Sequence, residues 1–261
     1  GSCNVAMGRD ALLCNTTASY NTAVGINSLY ANTTGANNVS VGALALDSNT
    51  TGGANTALGS YALGANTTAS NNTAVGSSAL RVTTAGNNVA VGTCSLYENT
   101  SGASNVAVGL CALFFNTSGA SNVALGTNSL AANTTAGYNT AIGRSALSAN
   151  QTGADNVAIG YNALCANTTQ RNTAVGSLAL DANTTGQQNS AIGYASMSNN
   201  TTGGTNTAVN GALGNNTTGS GNVGIGYLSL ANNTTCSDNV AVGLRAAQET
   251  NSAHGIVAIG A

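Results

Sequence analysis

One sentence of seventeen residues, written over and over, constrains this chain more than anything else in it. The stretch Asn21 to Asn37, NTAVGINSLYANTTGAN, sets the template. It reads Asn, Thr or Val, Ala, an aliphatic residue, Gly, two free positions, Ala or Ser, Leu, two free positions, Asn-Thr-Thr-Gly and two more. These are repeat positions one to seventeen. Full copies begin at Asn4, Asn21, Asn38, Asn55, Asn72, Asn88, Asn105, Asn122, Asn139, Asn156, Asn172, Asn189, Asn206, Asn222 and Asn239, and a partial copy spans Ile256 to Ala261. A self-similar chain with so short a period reads as a repeat array rather than as globules counted by length. No linker or charge run interrupts it, so residues 1–261 read as one repeat domain without separate caps.

The type of rung follows from the columns. Position four runs through Met7, Val24, Val41 and Leu58 to Ile225, Val242 and Ile259, a β-branched column that favours strand. Position nine is Leu in thirteen copies, Met197 in one and Ala247 in the last. Two helices and two turns do not fit in seventeen residues, since helices run about 8–20 residues each. The reading is therefore all-β: a parallel β-solenoid of about fifteen rungs, stacked at about 4.8 Å into a rod of roughly 70 Å. Fixed apolar columns separate it from a disordered low-complexity chain.

Alternation along the strand puts positions two and four on one face and one, three and five on the other. The expectation is that position four and the Leu at nine fill the coil. The Ala and Gly at three and five would then either meet another sheet or chain, or simply fit a tight turn. Asn at position one is expected to form an amide ladder along the axis. The Asn-Thr-Thr-Gly corner has turn chemistry. Three copies are one residue short, around Arg81 to Asn87, at Gln170-Arg171 and beside Asn210-Gly211, and loops should absorb these deletions.

Composition narrows the function. Charged residues make up 5% of the chain, five Arg against seven acidic residues, with no basic stripe to neutralise phosphates, so nucleic acid is not an expected partner. No run of some 18 apolar residues exists, so no membrane insertion is expected. The start, GSCNVAMG, does not read as a signal peptide.

Copies such as NVAIGYNALCANTTQR and NTAVGSLALDANTTGQQ resemble the head repeats of YadA-like trimeric autotransporter adhesins. They are similar also to the NTAVG-x-x-AL-x-x-NTTG arrays of phage tail-fibre and adhesin-like proteins. The resemblance spans essentially the whole chain. It implies a parallel β-roll or β-helix, commonly trimeric, in an extracellular fibre at a cell or virion surface. The repeat here is longer than in the adhesin heads, and no neck, stalk, anchor or chaperone domain is visible.

Individual residues add candidates. The single His254 lies in the degenerate last turn without partners for a triad, so no catalytic residue and no enzyme is expected. Gly224-Ile225-Gly226 mimics a dinucleotide loop without its βαβ context, and no cofactor is expected. Asp10, Asp47, Glu98, Asp155, Asp181, Asp238 and Glu249 share no column, so no metal is expected. Cys94 and Cys111 both occupy position seven of consecutive copies, about one rung apart, and are disulfide candidates. Cys3 and Cys14 are close enough in sequence to bridge, whereas Cys165 and Cys236 are four rungs apart.

Thirteen of the fifteen full copies place an Asn-x-Thr/Ser triplet at the corner, at Asn15, Asn32, Asn49, Asn66, Asn99, Asn116, Asn133, Asn150, Asn167, Asn183, Asn200, Asn216 and Asn233. They are either N-glycan acceptors or turn chemistry alone. Tyr161, Tyr194 and Tyr227 share position six, while Tyr30, Tyr97 and Phe114 share position ten. They are either adhesive contacts and stacking platforms for sugars, or covers for a neighbouring rung or subunit. The strands Asn4, Val5, Ala6, Met7, Gly8 and Ile256, Val257, Ala258, Ile259, Gly260 are candidates for head-to-tail stacking of copies. The leading reading is a structural fibre protein, self-assembled as a homotrimer or head-to-tail filament, with a cell-surface or glycan contact. An ice-binding solenoid is the alternative, set back because the Thr pairs fall in a corner rather than a strand.

Overall fold

The computed structural model describes residues 1–260, and Ala261 lies outside the described residues. The chain forms two compact units, Gly1–Ala136 and Gly137–Ala261. The first contains eight three-residue strands, from β1 (Val5–Met7) to β8 (Val123–Leu125). The second contains eight more, from β9 (Thr140–Ile142) to β16 (Val257–Ile259). Both units are parallel β-solenoids, one strand per copy.

Within each unit every strand pairs in parallel with the next copy, column on column: Val5 with Thr22, Ala6 with Ala23 and Met7 with Val24. The short copies keep this phase, since Thr73 still meets Val89 and Thr207 still meets Val223. Rung-to-rung pairing continues around the coil outside the strands, as in Leu29 N–H to the Ala45 carbonyl, 3.0 Å, and Thr33 N–H to the Thr50 carbonyl, 2.9 Å.

The faces are the reverse of the sequence expectation. Position three is the interior: Ala23, Ala57, Ala74, Ala90, Ala107 and Ala124 have no exposed surface. Position four points outward, with Leu58 38% and Ile192 47% exposed. The reason is the width of the coil. Leu at position nine fills it completely, Leu29, Leu46 and Leu113 being wholly buried, so only Ala, Ser or Gly fits opposite. Ser40 satisfies its hydroxyl there by donating to the Ala45 carbonyl, 2.8 Å, and accepting from Ser28 Oγ, 2.7 Å.

Closing a turn in seventeen residues costs backbone strain. Positions seven, nine and seventeen lie in the left-handed region, Leu113 at φ 52 and Leu46 at φ 50 among them. Each such residue costs about 1–2 kcal/mol, which burial of a Leu side chain, worth about 1.5–3 kcal/mol, offsets at position nine.

Two Asn columns are inside as well. At position one, Asn21 Oδ1 accepts from the Asn38 N–H, 2.9 Å, and its Nδ2 donates to the Gly35 carbonyl, 2.9 Å. Amide-to-amide bonds occur at that position between Asn122 and Asn105 and between Asn156 and Asn139, both 3.2 Å, but the fuller ladder is at position twelve. There Asn49 Nδ2 donates to Asn32 Oδ1 at 2.8 Å and Asn116 Nδ2 to Asn99 Oδ1 at 2.6 Å. Each position-twelve amide also caps its own corner, as Asn116 Nδ2 does on the Gly119 carbonyl, 2.9 Å. In the short copy, Thr83 takes the Asn place at 1% exposure. Asn99 Nδ2 reaches its Oγ1 at 3.4 Å, while Asn66 Oδ1 on the other side has no partner.

Candidate functional site

The strands present an outward ribbon made of positions two and four. In the first unit it carries Thr22 and Val24, Val39 and Val41, Thr56 and Leu58, then Thr73, Val89, Val106 and their position-four partners. The second unit repeats it from Thr140 and Ile142 onward. No residue of either column is charged. The side chains are half-buried by their neighbours and otherwise open, Val39 at 38% and Ile225 at 39%. The end strands are more open still, with Met7 65% and Ile259 81% exposed, and Asn4, Ala6, Gly8, Ile256, Val257, Ala258 and Gly260 in line with them.

The corner Asn-x-Thr/Ser residues are in the wrong place for sugars. Asn32, Asn49, Asn66, Asn99, Asn116, Asn133, Asn150, Asn167, Asn183, Asn200, Asn216 and Asn233 have no exposed surface. Only Asn15 is half-buried. Their Nδ2 atoms, the atoms a glycan would occupy, donate inside the coil, as Asn200 does to Asn183 Oδ1 at 2.8 Å and to the Gly203 carbonyl at 2.9 Å. A sugar on such a nitrogen would break both bonds and the packing around it. The corner triplets are turn chemistry, with the following Thr also used: Thr33 Oγ1 donates to the Thr50 carbonyl, 3.0 Å.

All six cysteines are free thiols. Cys94 and Cys111 stack at position seven on successive rungs, both half-buried and both at left-handed φ, 54 and 53. Burial raises the Cys111 thiol pKa, and the neighbouring Cys94 raises it further. Cys3 and Cys14 stand in different columns, seventeen and eleven, both exposed. Burial also pushes up Cys165, with Asp181 adding to it. Mild oxidation of the full chain is expected to consume the Cys94 and Cys111 thiols together, read by peptide mapping as one crosslinked pair. Retention of both thiols under conditions that oxidise exposed Cys3 would show that the pair is misdirected.

The aromatic residues divide into two kinds. Tyr97 and Phe114 stack in parallel at 5.1 Å, Phe115 packs edge-on at 4.6 Å, and Arg81 donates to the Tyr97 hydroxyl at 2.8 Å. That cluster covers neighbouring rungs. Tyr194 and Tyr227 have no such cover, 70% and 54% exposed. Arg144 lies over Tyr161 at 5.9 Å.

His254 Nδ1 accepts the Ser237 N–H at 2.9 Å. This is the bond that Ser237 Oγ accepts from Ser220 N–H one rung earlier, so His254 replaces a Ser in a structural column. Burial raises the Asp47 and Asp181 carboxyls, opposed at each by hydrogen bonds from its own and the next backbone N–H and at Asp47 also by the Arg81 charge. Among the described residues no group of three or more His, Cys, Asp or Glu is placed to hold a metal ion, and no helix is long and apolar enough to cross a membrane. No protein-family model matches the sequence, and no curated protein matches it significantly.

Proposed function

We propose that this chain is a structural, non-enzymatic fibre module that works outside the cell or on a virion surface and assembles with copies of itself through the outward strand ribbon. The supporting observation is that ribbon: β-branched and aliphatic side chains in two uncharged columns, repeated at about 4.8 Å. Exposed contiguous apolar surface of this kind marks an interaction face. The partner that matches it rung for rung is a second copy, because only another solenoid of the same kind repeats at the same spacing. Sheets packed face to face sit about 10 Å apart with interdigitating side chains, which suits Val, Ile, Leu and Thr. Three chains, each turning its ribbon to a common axis, is the arrangement implied by the adhesin-head resemblance, and lateral association is favoured over head-to-tail stacking.

A second reading rests on the same face. The Thr pairs stay in the corners, but Thr22, Thr56 and Thr73 in the first unit and Thr140, Thr173 and Thr207 in the second put single Thr side chains on the outward strands, interleaved with Val. One pair of measurements separates the two. Light scattering on the eluting protein is expected to give three times the chain mass, and Val106→Asp with Val108→Asp is expected to reduce it to one chain of unchanged circular dichroism. A monomeric wild type that shows thermal hysteresis would replace the fibre reading with the ice-binding one.

A further inference from the structure

We propose that the short rung starting at Asn206 forms a binding cleft for a neutral pyranose ring of a glycan, held between Tyr194 and Tyr227. Three sequence exceptions meet in this one place. Position five is Asn210 instead of Gly, one residue is missing before Ala212, and position three of the next copy is Gly224. Gly at position five elsewhere has φ from 116 to 139, whereas Asn210 takes φ 62 and Gly211 φ 72, so the chain cuts the corner. Ala212 and Leu213 move against the next strand: a Cβ at Gly224 would stand 3.0 Å from Ala212 Cβ and 3.3 Å from Leu213 Cγ.

The cut leaves a cleft of about 300 Å³ on the outside, with Gly211 and Gly214 as its floor, Tyr194 and Tyr227 as its ends and the Asn199 and Asn215 amides at its side. That volume is at the small end of the about 300–1,000 Å³ typical of ligand pockets. It also unpairs backbone. In ordinary rungs the position-seven N–H donates to the position-six carbonyl of the rung before, as Ala195 does to Ser177 at 3.0 Å and Arg245 to Tyr227 at 2.9 Å. Here Gly211 N–H donates to Ser196 Oγ, 2.9 Å. The Tyr194 carbonyl and the Leu228 N–H, both on the cleft wall, are left without that bond.

The chemistry of this lining selects its ligand. Tyr194 and Tyr227 hold position six two rungs apart, a backbone separation of about 9.6 Å, and both line the cleft, where a flat ligand ring can stack on them at the 4.5–7 Å of stacked ring centroids. No charged residue lines the cleft, so an ionic ligand gains nothing there. Asn199 Nδ2 donates to Asn215 Oδ1 at 3.1 Å, which leaves Asn199 Oδ1 as an acceptor. With the Tyr194 carbonyl and the Leu228 N–H it offers an edge of donors and acceptors beside two aromatic faces. A pyranose has that division, C–H groups on its faces and hydroxyls around its rim. A Cβ at Gly214 would meet nothing within 4 Å, so the floor is open there, while the Tyr227 ring lies over Gly211, 3.5 Å from where a Cβ would stand.

The cleft belongs to a single chain and does not depend on how many copies assemble. The test is saturation-transfer NMR on the full chain with methyl β-D-glucopyranoside, methyl β-D-galactopyranoside and methyl α-D-mannopyranoside at millimolar concentration, where a single ring is expected to bind. Transfer to the ring C–H protons of at least one is expected. Tyr194→Ala and Tyr227→Ala should each reduce it tenfold or more, with circular dichroism unchanged because both rings are exposed. Tyr161→Ala, in the same column outside the cleft, should leave it intact. No transfer with any of the three sugars, transfer undiminished in both cleft variants, or equal loss in Tyr161→Ala would overturn the proposal.

Discussion

Replacing Asn116 by Ala is expected to lower the stability of the first unit by about 2–5 kcal/mol, read as a fall in the guanidinium midpoint. The wholly buried side chain makes three bonds: Nδ2 to Asn99 Oδ1 at 2.6 Å and to the Gly119 carbonyl at 2.9 Å, and Oδ1 from Asn133 Nδ2 at 2.7 Å. The Gly119 carbonyl keeps a donor in Asn105 Nδ2, 2.8 Å. Asn99 Oδ1 does not, and it remains buried. The cost is therefore set by the stranded Asn99 oxygen and by a cavity, more than by the bonds removed. Asn116→Thr is expected to cost less, because Thr83 already serves in this column, donating to the Ala85 carbonyl at 3.1 Å. Equal midpoints for wild type and Asn116→Ala would mean that the inner ladder contributes nothing to stability.

The same column shows what could and could not be seen in the sequence. Strand positions were legible because position four is Val, Ile or Leu in every copy but the first, where it is Met7, and a rung of seventeen residues has room for one short strand and its return. Which face turns inward was misread, since β-branched aliphatic residues look like core. The decisive quantity is the width of the coil, which Leu at nine already fills. A signal was present: position two varies between Thr22, Val39 and Ser190, a polar tolerance typical of a surface, whereas position three changes only among Ala, Ser40 and Gly224. For the Asn-Thr-Thr corner, the triplet has two physical meanings, and only burial separates a sugar acceptor from an internal cap. The left-handed φ of a wholly buried Leu has no local sequence signal, because it is imposed by closing the turn. The deletion beside Asn210-Gly211 was visible, yet its meaning was not, since the cleft exists only once Tyr194 and Tyr227 are known to point outward on either side of it.

Gly109→Ala is expected to be the most damaging small substitution in the first unit, at about 4 kcal/mol or more, with exposed strand edges that promote aggregation. An added Cβ would stand 2.6 Å from both the carbonyl carbon and oxygen of Gly126 on the next rung, and the residue holds φ 135, a conformation open essentially to Gly alone. The neighbour cannot move away, because Gly126 N–H donates to the Val108 carbonyl at 2.8 Å and Asn128 N–H to Leu110 at 3.0 Å. Relieving the clash means widening the rung spacing and losing those bonds. The second unit supplies its own control on the size of this effect. Asn210 occupies the equivalent position only where the chain is one residue shorter and φ has dropped to 62, so a side chain is accommodated by rebuilding the turn, not by squeezing into it. Gly214→Ala, with nothing within 4 Å of its new Cβ and an ordinary φ, is expected to shift stability by no more than about 0.5 kcal/mol. Thermal melts of the two variants side by side check the contrast. Matching transitions would mean that rung spacing is set elsewhere than at position five, in the Asn ladders or the strands themselves.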